Sequence, residues 1–244
     1  MVIMHVVMLA LLTLDAAPSS EKMRGSKLYD ALYATGYHAN LHTTRARDIL
    51  PAVANLSSLL GVDSVLDVGC SHGFAVNWLW NHGFRASGVD VSSIAVAKAK
   101  AARGEPAEKC IAPCFAQGSA TKLPWADGAF GAVMSTDMLE HLQADEVDTA
   151  LKELTRVASK IMILKIAQRS DTLNQKQKGA MTAIGEAAAA LPDDLHPMVR
   201  RPSWWISRIE ALSSFRKLKV LPTPAGRPWM CCTTVFVRQA DVAS

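Results

Sequence analysis

Hydrophobic and polar positions along the chain follow an order that predicts strands alternating with helices. The clearest stretch begins with the apolar run Val65–Val68, passes through a glycine turn into the apolar segment Phe74–Trp80, and ends with a second run, Ala86–Val89, followed by Asp90. Short apolar runs rich in β-branched residues are typical of buried strands, and a longer run after a glycine turn is typical of a helix. This stretch therefore predicts a strand–turn–helix–strand unit.

The same alternation continues downstream. We expect one helix that is capped by Ser92 and Ser93 and ends at Gly104. A second is expected over residues 144–160, where apolar residues recur at helical spacing. The further predicted strands cover residues 114–117, 130–135, 161–167, 216–221 and 230–237. Strands that alternate with helices predict an α/β fold, a Rossmann-like three-layer sandwich with a parallel sheet.

Segments without this alternation flank the predicted core. Residues 26–60 have helical spacing, with Tyr29 and Tyr33 four apart, and predict an N-terminal helical lid over the ligand site. Residues 168–206 are first polar, then alanine-rich, and contain prolines, which predicts an insertion that contributes to the substrate region. We expect residues 26–244 to form a single domain.

Residues 1–25 are expected to be either a targeting segment or a flexible arm. The apolar run within them is shorter than the ~20 residues that span a bilayer, and no lysine or arginine precedes it. It has the length of a signal-peptide core. The sequence leaves two locations open: cytoplasmic, or secretory or organellar if residues 1–17 are a signal peptide.

Composition narrows the function classes. Half of the 244 residues are hydrophobic and 20% are charged, which permits a sizeable core. The net charge is +4, but no run of basic residues of the nucleic-acid-binding type is present, so no nucleic-acid partner is expected. Five cysteines without C-x-x-C spacing disfavour a zinc site or a disulfide framework. Cys110 and Cys114 are four apart and are able to pair if oxidised.

The glycine turn and its two acids indicate the ligand. An acid at the tip of the second strand, Asp90, suits the hydroxyls of a ribose. The turn Asp67-x-Gly69-x-x-x-Gly73 lacks the G-x-G-x-x-G spacing of dinucleotide folds, and Asp67 would repel a pyrophosphate. An acid there favours S-adenosylmethionine, which carries an ammonium group and no phosphate. An NAD-dependent oxidoreductase remains the alternative interpretation, and it requires a free helix N-terminus at the turn.

Four stretches together resemble the class I S-adenosylmethionine-dependent methyltransferases of the type 11-like kind, close to the group that includes ubiquinone- and menaquinone-biosynthesis enzymes. They are residues 65–73, 88–92, 117–124 and 130–141. The resemblance implies a mostly parallel seven-stranded sheet with an antiparallel last strand, and S-adenosylmethionine as the cofactor.

The resemblance also implies roles for individual residues. Asp67 would act on the methionine ammonium, directly or through water, and Gly69 and Gly73 would let the backbone approach the amino acid portion. Asp90 would accept the ribose hydroxyls, and Val91 would flank the adenine. The other implied cofactor-binding residues are Cys70 in the turn, Ser119 and Ala120 at the adenine edge, and Ser135 beside the methionine carboxylate and sulfonium.

Two positions depart from the family pattern. Ser71 replaces the middle glycine of the turn, which restricts the backbone there. Ser119 stands where an acid is common, so it can hydrogen-bond the adenine only without charge.

Methyl transfer from a sulfonium mainly requires alignment of the acceptor and exclusion of water. A hydroxyl acceptor would still benefit from a base, and the candidates are His141 and His196. The segment after the fourth strand lacks the Asn/Asp-Pro-Pro-Tyr pattern of nucleobase methyltransferases. The main hypothesis is therefore O-methylation of a small molecule, sugar or lipid; a non-catalytic cofactor-binding partner subunit is the alternative.

No metal is expected in the first instance, but one alternative site exists. Asp137, Glu140 and His141 lie at i, i+3 and i+4 and would share a helical face able to chelate a divalent cation. Ordinary contacts at a helix start explain the same spacing.

The acceptor, a small molecule or a glycan, is expected to contact residues outside the core. In the lid these are Tyr37 and His38, and near the end of the insertion they are Arg200 and Trp204. Tryptophans stack on sugars and aromatic rings, and arginines suit carboxylate or phosphate groups. The oligomeric state is left open.

Overall fold

The computed structural model describes residues 22–36, 49–221 and 233–239. Its seven strands, all within these residues, are β1 Ser64–Val68, β2 Arg85–Asp90, β3 Phe115–Gln117, β4 Phe130–Thr136, β5 Ala158–Lys165, β6 Phe215–Val220 and β7 Thr233–Arg238. The α-helices are α1 Gly25–Ala34, α2 Leu50–Leu59, α3 Phe74–Trp80, α4 Ser93–Arg103, α5 Val147–Val157, α6 Gln175–Ala183 and α7 Pro202–Leu212. Single 3-10 turns occur at Ala107–Lys109, Leu139–His141 and Ala188–Ala190.

The strands form one sheet in the order β3-β2-β1-β4-β5-β7-β6. The first five are parallel to one another, whereas β7 runs antiparallel to both β5 and β6. The strand order reverses at β1, which lies between β2 and β4, and ligands of such sheets bind at this switch point. The expected fold class, a mostly parallel seven-stranded sheet with an antiparallel last strand, is confirmed.

Alternate residues of the strands feed two separate cores. Val65 of β1 packs into the core beneath α2, α3 and α4, whereas its neighbour Leu66 packs into the core beneath α5 and α7. Successive side chains of a strand point to opposite faces, so continuous apolar strands require helices on both sides of the sheet. This arrangement gives the three predicted layers.

A third, smaller core joins the lid to the insertion. Leu32 of α1 packs there with Met181 of α6 and with Leu191 and Leu195 from the segment that follows α6. The helix α2, which the sequence places in the same lid, instead packs against the sheet through Leu50 and Val53. Of the two helices in the described parts of residues 26–60, only α1 packs with the insertion, and we call it the lid helix.

One helix boundary and one cysteine pair differ from expectation. The helix predicted to reach residue 160 ends at Val157, because Ala158 already pairs with Phe130 at the start of β4. Cys110 and Cys114 form a disulfide across the loop before β3, with their Cα atoms 5.2 Å apart. The spacing of four residues left this bridge open, since spacing alone does not show whether a turn brings the two Cβ atoms together.

Among the described residues, no helix has both the length and the apolar character needed to cross a membrane. Residues 1–21 of the predicted targeting segment or arm lie outside the described residues.

Candidate functional site

A cavity of about 400 Å³ opens at the carboxyl ends of β1, β2 and β4, beneath the lid helix. This volume is within the range of small-molecule sites. The residues that line it are Arg24, Gly25, Tyr29, Tyr33, Val68, Gly69, Val89, Asp90, Val91, Gly118, Ser119, Ala120, Thr136, Asp137, Met138, His141, Leu142, Gln143, Asp145 and Glu146. The predicted residues Gly69, Asp90, Val91, Ser119, Ala120 and His141 are thus brought together.

Asp90 organises the glycine turn that follows β1. One carboxylate oxygen accepts a hydrogen bond from the backbone N–H of Ser71 at 2.8 Å, and the other accepts from the N–H of Ser92 at 2.9 Å. The N–H of Gly69 in turn donates to the carbonyl of Val89 at 2.8 Å. The same acid therefore orders the turn and faces the cavity.

The glycines of the turn serve two different purposes. Gly69 has φ +87°, and a Cβ there would lie 2.7 Å from Cγ of Met138, so only glycine leaves this wall of the cavity in place. Gly73 has φ +70°, and its missing side chain makes room for Phe115, whose Cε1 would lie 2.7 Å from an added Cβ. Gly73 is absent from the cavity wall and packs α3 against β3. Ser71 adopts a left-handed backbone with φ +50° although it is not a glycine. The turn therefore forms despite this departure from the family pattern.

Two buried carboxyls lie side by side at this end of the sheet. Burial, followed by the charge of Asp90, raises the pKa of Asp67 to about 7. Burial likewise raises the pKa of Asp90 to about 6, and the N–H donors of Ser92 and Ser71 oppose that rise. Asp67 and Cys70 are buried behind the cavity wall rather than part of it. A cation near this pair would favour their ionised forms.

The serines predicted to meet the cofactor already have protein partners. The hydroxyl of Ser119 lies 2.8 Å from that of Thr121 and accepts the Thr121 N–H at 3.2 Å, so it shapes its own turn while facing the cavity. The hydroxyl of Ser135 donates to the carbonyl of Val68 at 2.8 Å and ties β4 to β1. Ser135 is buried and is not part of the cavity wall.

The lid helix covers the cavity with two tyrosines. Tyr29 meets the ring of His141 edge-on at 5.6 Å, and Tyr33 lies 5.0 Å from the ring of His72. Asp30, between them, accepts hydrogen bonds from the residues that begin α4. Tyr29 and Tyr33 line the cavity, whereas the predicted acceptor contacts Tyr37 and His38 lie outside the described residues.

His141 lies where the cavity meets the insertion. Its Nδ1 is 2.8 Å from the carbonyl oxygen of Leu195. A carbonyl only accepts, so the ring donates from Nδ1 and keeps its lone pair on Nε2. Burial, followed by the nearby ring of His196, lowers the pKa of His141 to about 4. The imidazole is therefore neutral at pH 7.

His196 lies behind His141 rather than in the cavity. The two rings meet edge-on with centroids 4.4 Å apart. Nδ1 of His196 donates to the carbonyl of Arg169 at 2.6 Å, and its Nε2 lies 4.0 Å from the carboxylate of Asp171. His196 is 6% exposed and does not line the cavity.

The predicted helical face of Asp137, Glu140 and His141 does not exist. Asp137 has φ +51°, and only a single 3-10 turn, Leu139–His141, follows it. The carboxylate of Asp137 pairs with the buried Lys165 at 3.0 Å. The left-handed backbone breaks the helix, so the three residues do not share a helical face.

The two predicted acceptor contacts near the start of α7 lie away from the cavity. Arg200 is exposed and stacks over the ring of Trp204 at 5.9 Å, and Trp204 is itself 36% exposed. The adjacent Trp205 is buried and packs α7 on the sheet, as expected for one tryptophan of the pair.

Several residues of the cavity were not predicted. Thr136, Asp137 and Met138 follow directly after β4, and the rule that ligands bind at strand carboxyl ends would have identified them. The sequence shows no such signal for the others: Arg24, Leu142, Gln143, Asp145 and Glu146. These line the side of the cavity toward the lid helix and the segment before α5.

Known proteins share this fold and this domain. Residues 66–161 match the family model described as a methyltransferase domain. The magnesium protoporphyrin IX methyltransferase of Synechocystis PCC 6803, solved with bound SAH, matches with 17% identity and a TM-score of 0.58, over 88% of this chain and 96% of its own. The 1,6-didemethyltoxoflavin-N1-methyltransferase of Burkholderia thailandensis matches with 17% identity and a TM-score of 0.60, over 92% of this chain and 95% of its own.

The matched domain contains the glycine turn, Asp90 and the β4 tip, which together form one side of the cavity. The cofactor of this domain is S-adenosylmethionine. The two solved structures, each 17% identical to this chain, show the shared fold. Residues 66–161 thus match a methyltransferase domain, and most of the chain has the fold of S-adenosylmethionine-dependent methyltransferases.

Proposed function

We propose that the protein methylates a hydroxyl group on a small molecule, a sugar or a lipid. The observation that carries this proposal is the position of His141 in the cavity wall, where its Nδ1 donates to the Leu195 carbonyl and leaves the lone pair on Nε2. A neutral imidazole with a free Nε2 accepts the proton that a hydroxyl must lose. The acceptors named for the two similar structures, a porphyrin and a toxoflavin precursor, differ from one another, so the acceptor must be argued from this chain's own cavity.

The cofactor is proposed to lie along the turn and the tips of β2 and β3. Asp90 accepts the ribose hydroxyls, because its carboxylate faces the cavity and keeps further lone pairs beside its two backbone bonds. Asp67 attracts the methionine ammonium through the cavity wall. Val91 and Ala120 flank the adenine, and the missing side chain of Gly69 admits the amino acid portion.

The acceptor is proposed to enter between the lid helix and the segment 141–146. Bound S-adenosylmethionine supplies the methyl group, which passes in line from the sulfonium to the acceptor oxygen. Tyr29 and Tyr33 exclude water above the reacting groups. His141 takes the hydroxyl proton on Nε2, while its bond to the Leu195 carbonyl holds the ring in position. Arg200 and Trp204 remain candidate contacts only for an acceptor that extends beyond the cavity.

The proposal is tested by a methyl-transfer screen with labelled cofactor over sugar, quinone, phenol and fatty-acid pools. Product methylated on oxygen supports it, and transfer only to nitrogen contradicts it. Asp90→Ala should abolish both cofactor binding and transfer. The matched control is Asp127→Ala, which removes an exposed acid from the loop before β4, at the other end of that strand. Cofactor binding without transfer to any pool would instead favour a non-catalytic partner subunit.

A further inference from the structure

Three side chains with metal-binding atoms converge at the cavity wall, to which His141 belongs. Glu140 and His141 come from the 3-10 turn after β4, and His196 comes from the segment before α7. One ligand atom from each lies within 4.8 Å of the other two. Ligands that share a tetrahedral ion at about 2.0–2.1 Å are about 3.4 Å apart. The three groups are therefore near the separation at which a single ion links them.

Both imidazoles are already oriented as metal ligands. Each donates its Nδ1–H to a backbone carbonyl, His141 to Leu195 at 2.8 Å and His196 to Arg169 at 2.6 Å. This leaves the lone pair of each ring on Nε2. Histidines that bind metals almost always donate the opposite ring nitrogen to a carbonyl or a carboxylate, which fixes both the tautomer and the ring plane.

Glu140 supplies a carboxylate oxygen that lacks a donor. One oxygen accepts the N–H of Ala167 at 3.0 Å, which holds the side chain against the end of β5. The other, Oε2, is buried and has no hydrogen-bond partner among the described residues. A buried acceptor without a partner is costly, and a cation placed between it and the two Nε2 atoms would satisfy all three groups at once.

We propose that Glu140, His141 and His196 bind one divalent metal ion of the Zn²⁺ type. Two imidazole nitrogens and one carboxylate are a donor set that Zn²⁺ uses with a further position left open. This set differs from the predicted Asp137-containing one because Asp137 is paired with Lys165. The ion joins the turn after β4 to the segment before α7.

The ion has one consequence for activity, and this part rests on the proposed function. A ring that binds an ion through Nε2 cannot accept a proton there. We therefore expect Zn²⁺ to slow methyl transfer if His141 is the base. The site would then regulate the enzyme through the availability of the metal.

The test is a calorimetric titration of the chelator-treated full chain with ZnCl₂. The background is a Cys231→Ser/Cys232→Ser variant, so that these thiols do not compete. We expect one ion per chain, and Glu140→Gln and His196→Gln should each weaken binding by at least about a hundredfold. Gln at position 140 keeps an oxygen for the Ala167 N–H. His82→Gln removes an exposed imidazole elsewhere and should leave binding unchanged.

Absence of saturable binding, or unchanged affinity in both site variants, overturns the proposal. Circular dichroism verifies that the variants fold. If they do not fold, the Cys231→Ser/Cys232→Ser protein without further changes is titrated with Co²⁺. A d–d absorption spectrum that saturates at one ion per chain supports the site, and the absence of such a spectrum overturns it. Zn²⁺ that binds without slowing methyl transfer would contradict only the base role of His141. Absence of methyl transfer from a protein that binds Zn²⁺ would contradict only the proposed function.

Discussion

The carboxylate of Asp30 accepts a hydrogen bond of 2.6 Å from the hydroxyl of Ser92, and this bond joins the lid helix to the first turn of α4. The same carboxylate accepts from the Ser93 hydroxyl at 3.0 Å and from the Ile94 N–H at 3.2 Å. A negative charge at a helix N-terminus is stabilising. Since the N–H of Ser92 also donates to Asp90, the lid is anchored next to the proposed ribose site.

Asp30→Ala should weaken cofactor binding. The change removes the contacts that hold the lid helix, which are together worth about 1–3 kcal/mol, so we expect the dissociation constant of S-adenosylmethionine to rise about tenfold. Calorimetry measures it. The control is Lys27→Ala on the lid helix, which loses only a surface ion pair of 3.9 Å with Glu186. Equal affinity of Asp30→Ala and the unaltered chain would show that lid docking does not support cofactor binding.

Asp67→Asn should stabilise the cofactor-free protein at alkaline pH. The folded-state pKa of about 7 lies above the ordinary value of 3.8, so the folded protein holds this proton more tightly than the unfolded chain. The bound proton therefore stabilises the folded protein. This stabilisation is complete below about pH 4 and is lost as the pH rises through about 7.

An asparagine stays neutral throughout, so at about pH 8 the variant should gain up to about 4 kcal/mol in the free energy of unfolding over the unaltered chain. The gain should vanish near pH 4. Denaturant unfolding across this range measures it. A variant that is less stable at every pH would indicate that Asp67 is ionised and paired in the free protein.

Gly73→Ala should destabilise the fold more than Gly83→Ala. Both glycines have positive φ, so both variants carry the cost of about 1–2 kcal/mol for a left-handed alanine. An added Cβ meets nothing within 4 Å at Gly83 but lies 2.7 Å from Phe115 at Gly73. The overpacking adds about 1–3 kcal/mol. Thermal unfolding of the two variants isolates this difference, and equal losses would mean that Phe115 moves aside freely.

His141→Gln should lower kcat without changing cofactor affinity. Removal of a general base typically costs about a hundredfold or more in rate, whereas the ring contacts the lid and the insertion rather than the glycine turn. Steady-state kinetics and calorimetry separate the two effects. His82→Gln is the matched control. A parallel loss of cofactor affinity would assign His141 a role in holding the lid instead.

Reduction of the Cys110–Cys114 disulfide should lower stability. The closed loop is short, so the chain-entropy contribution is on the order of 2 kcal/mol. Thermal unfolding with and without reductant measures it, and a Cys110→Ser/Cys114→Ser variant should be insensitive to the reductant. Equal stability of the unaltered chain in both conditions would mean that strain offsets the entropic gain.

Local patterning predicted the fold and part of the cavity lining. The helix Phe74–Trp80 was predicted with the bounds it has, because a glycine turn and an apolar run are features of consecutive residues. The positions of Gly69 and Asp90 followed for the same reason, since strand ends fix where the side chains of a parallel sheet meet. The packing of Phe115 against Gly73 and the hydrogen bond from Ser135 to Val68 were not predicted, because the residues of each pair are distant in sequence.

The sequence by itself determined the order of strands and helices, the glycine turn and the acid at the tip of β2, which are set by short-range periodicity and backbone preference. Only the tertiary structure decided which groups close the site. Asp30 reaches Ser92 across 62 residues, and His196 comes to lie against His141 through the path of the insertion. Such contacts depend on how distant segments pack around a common core, and a pattern of hydrophobic and polar positions records only which face of each segment is buried.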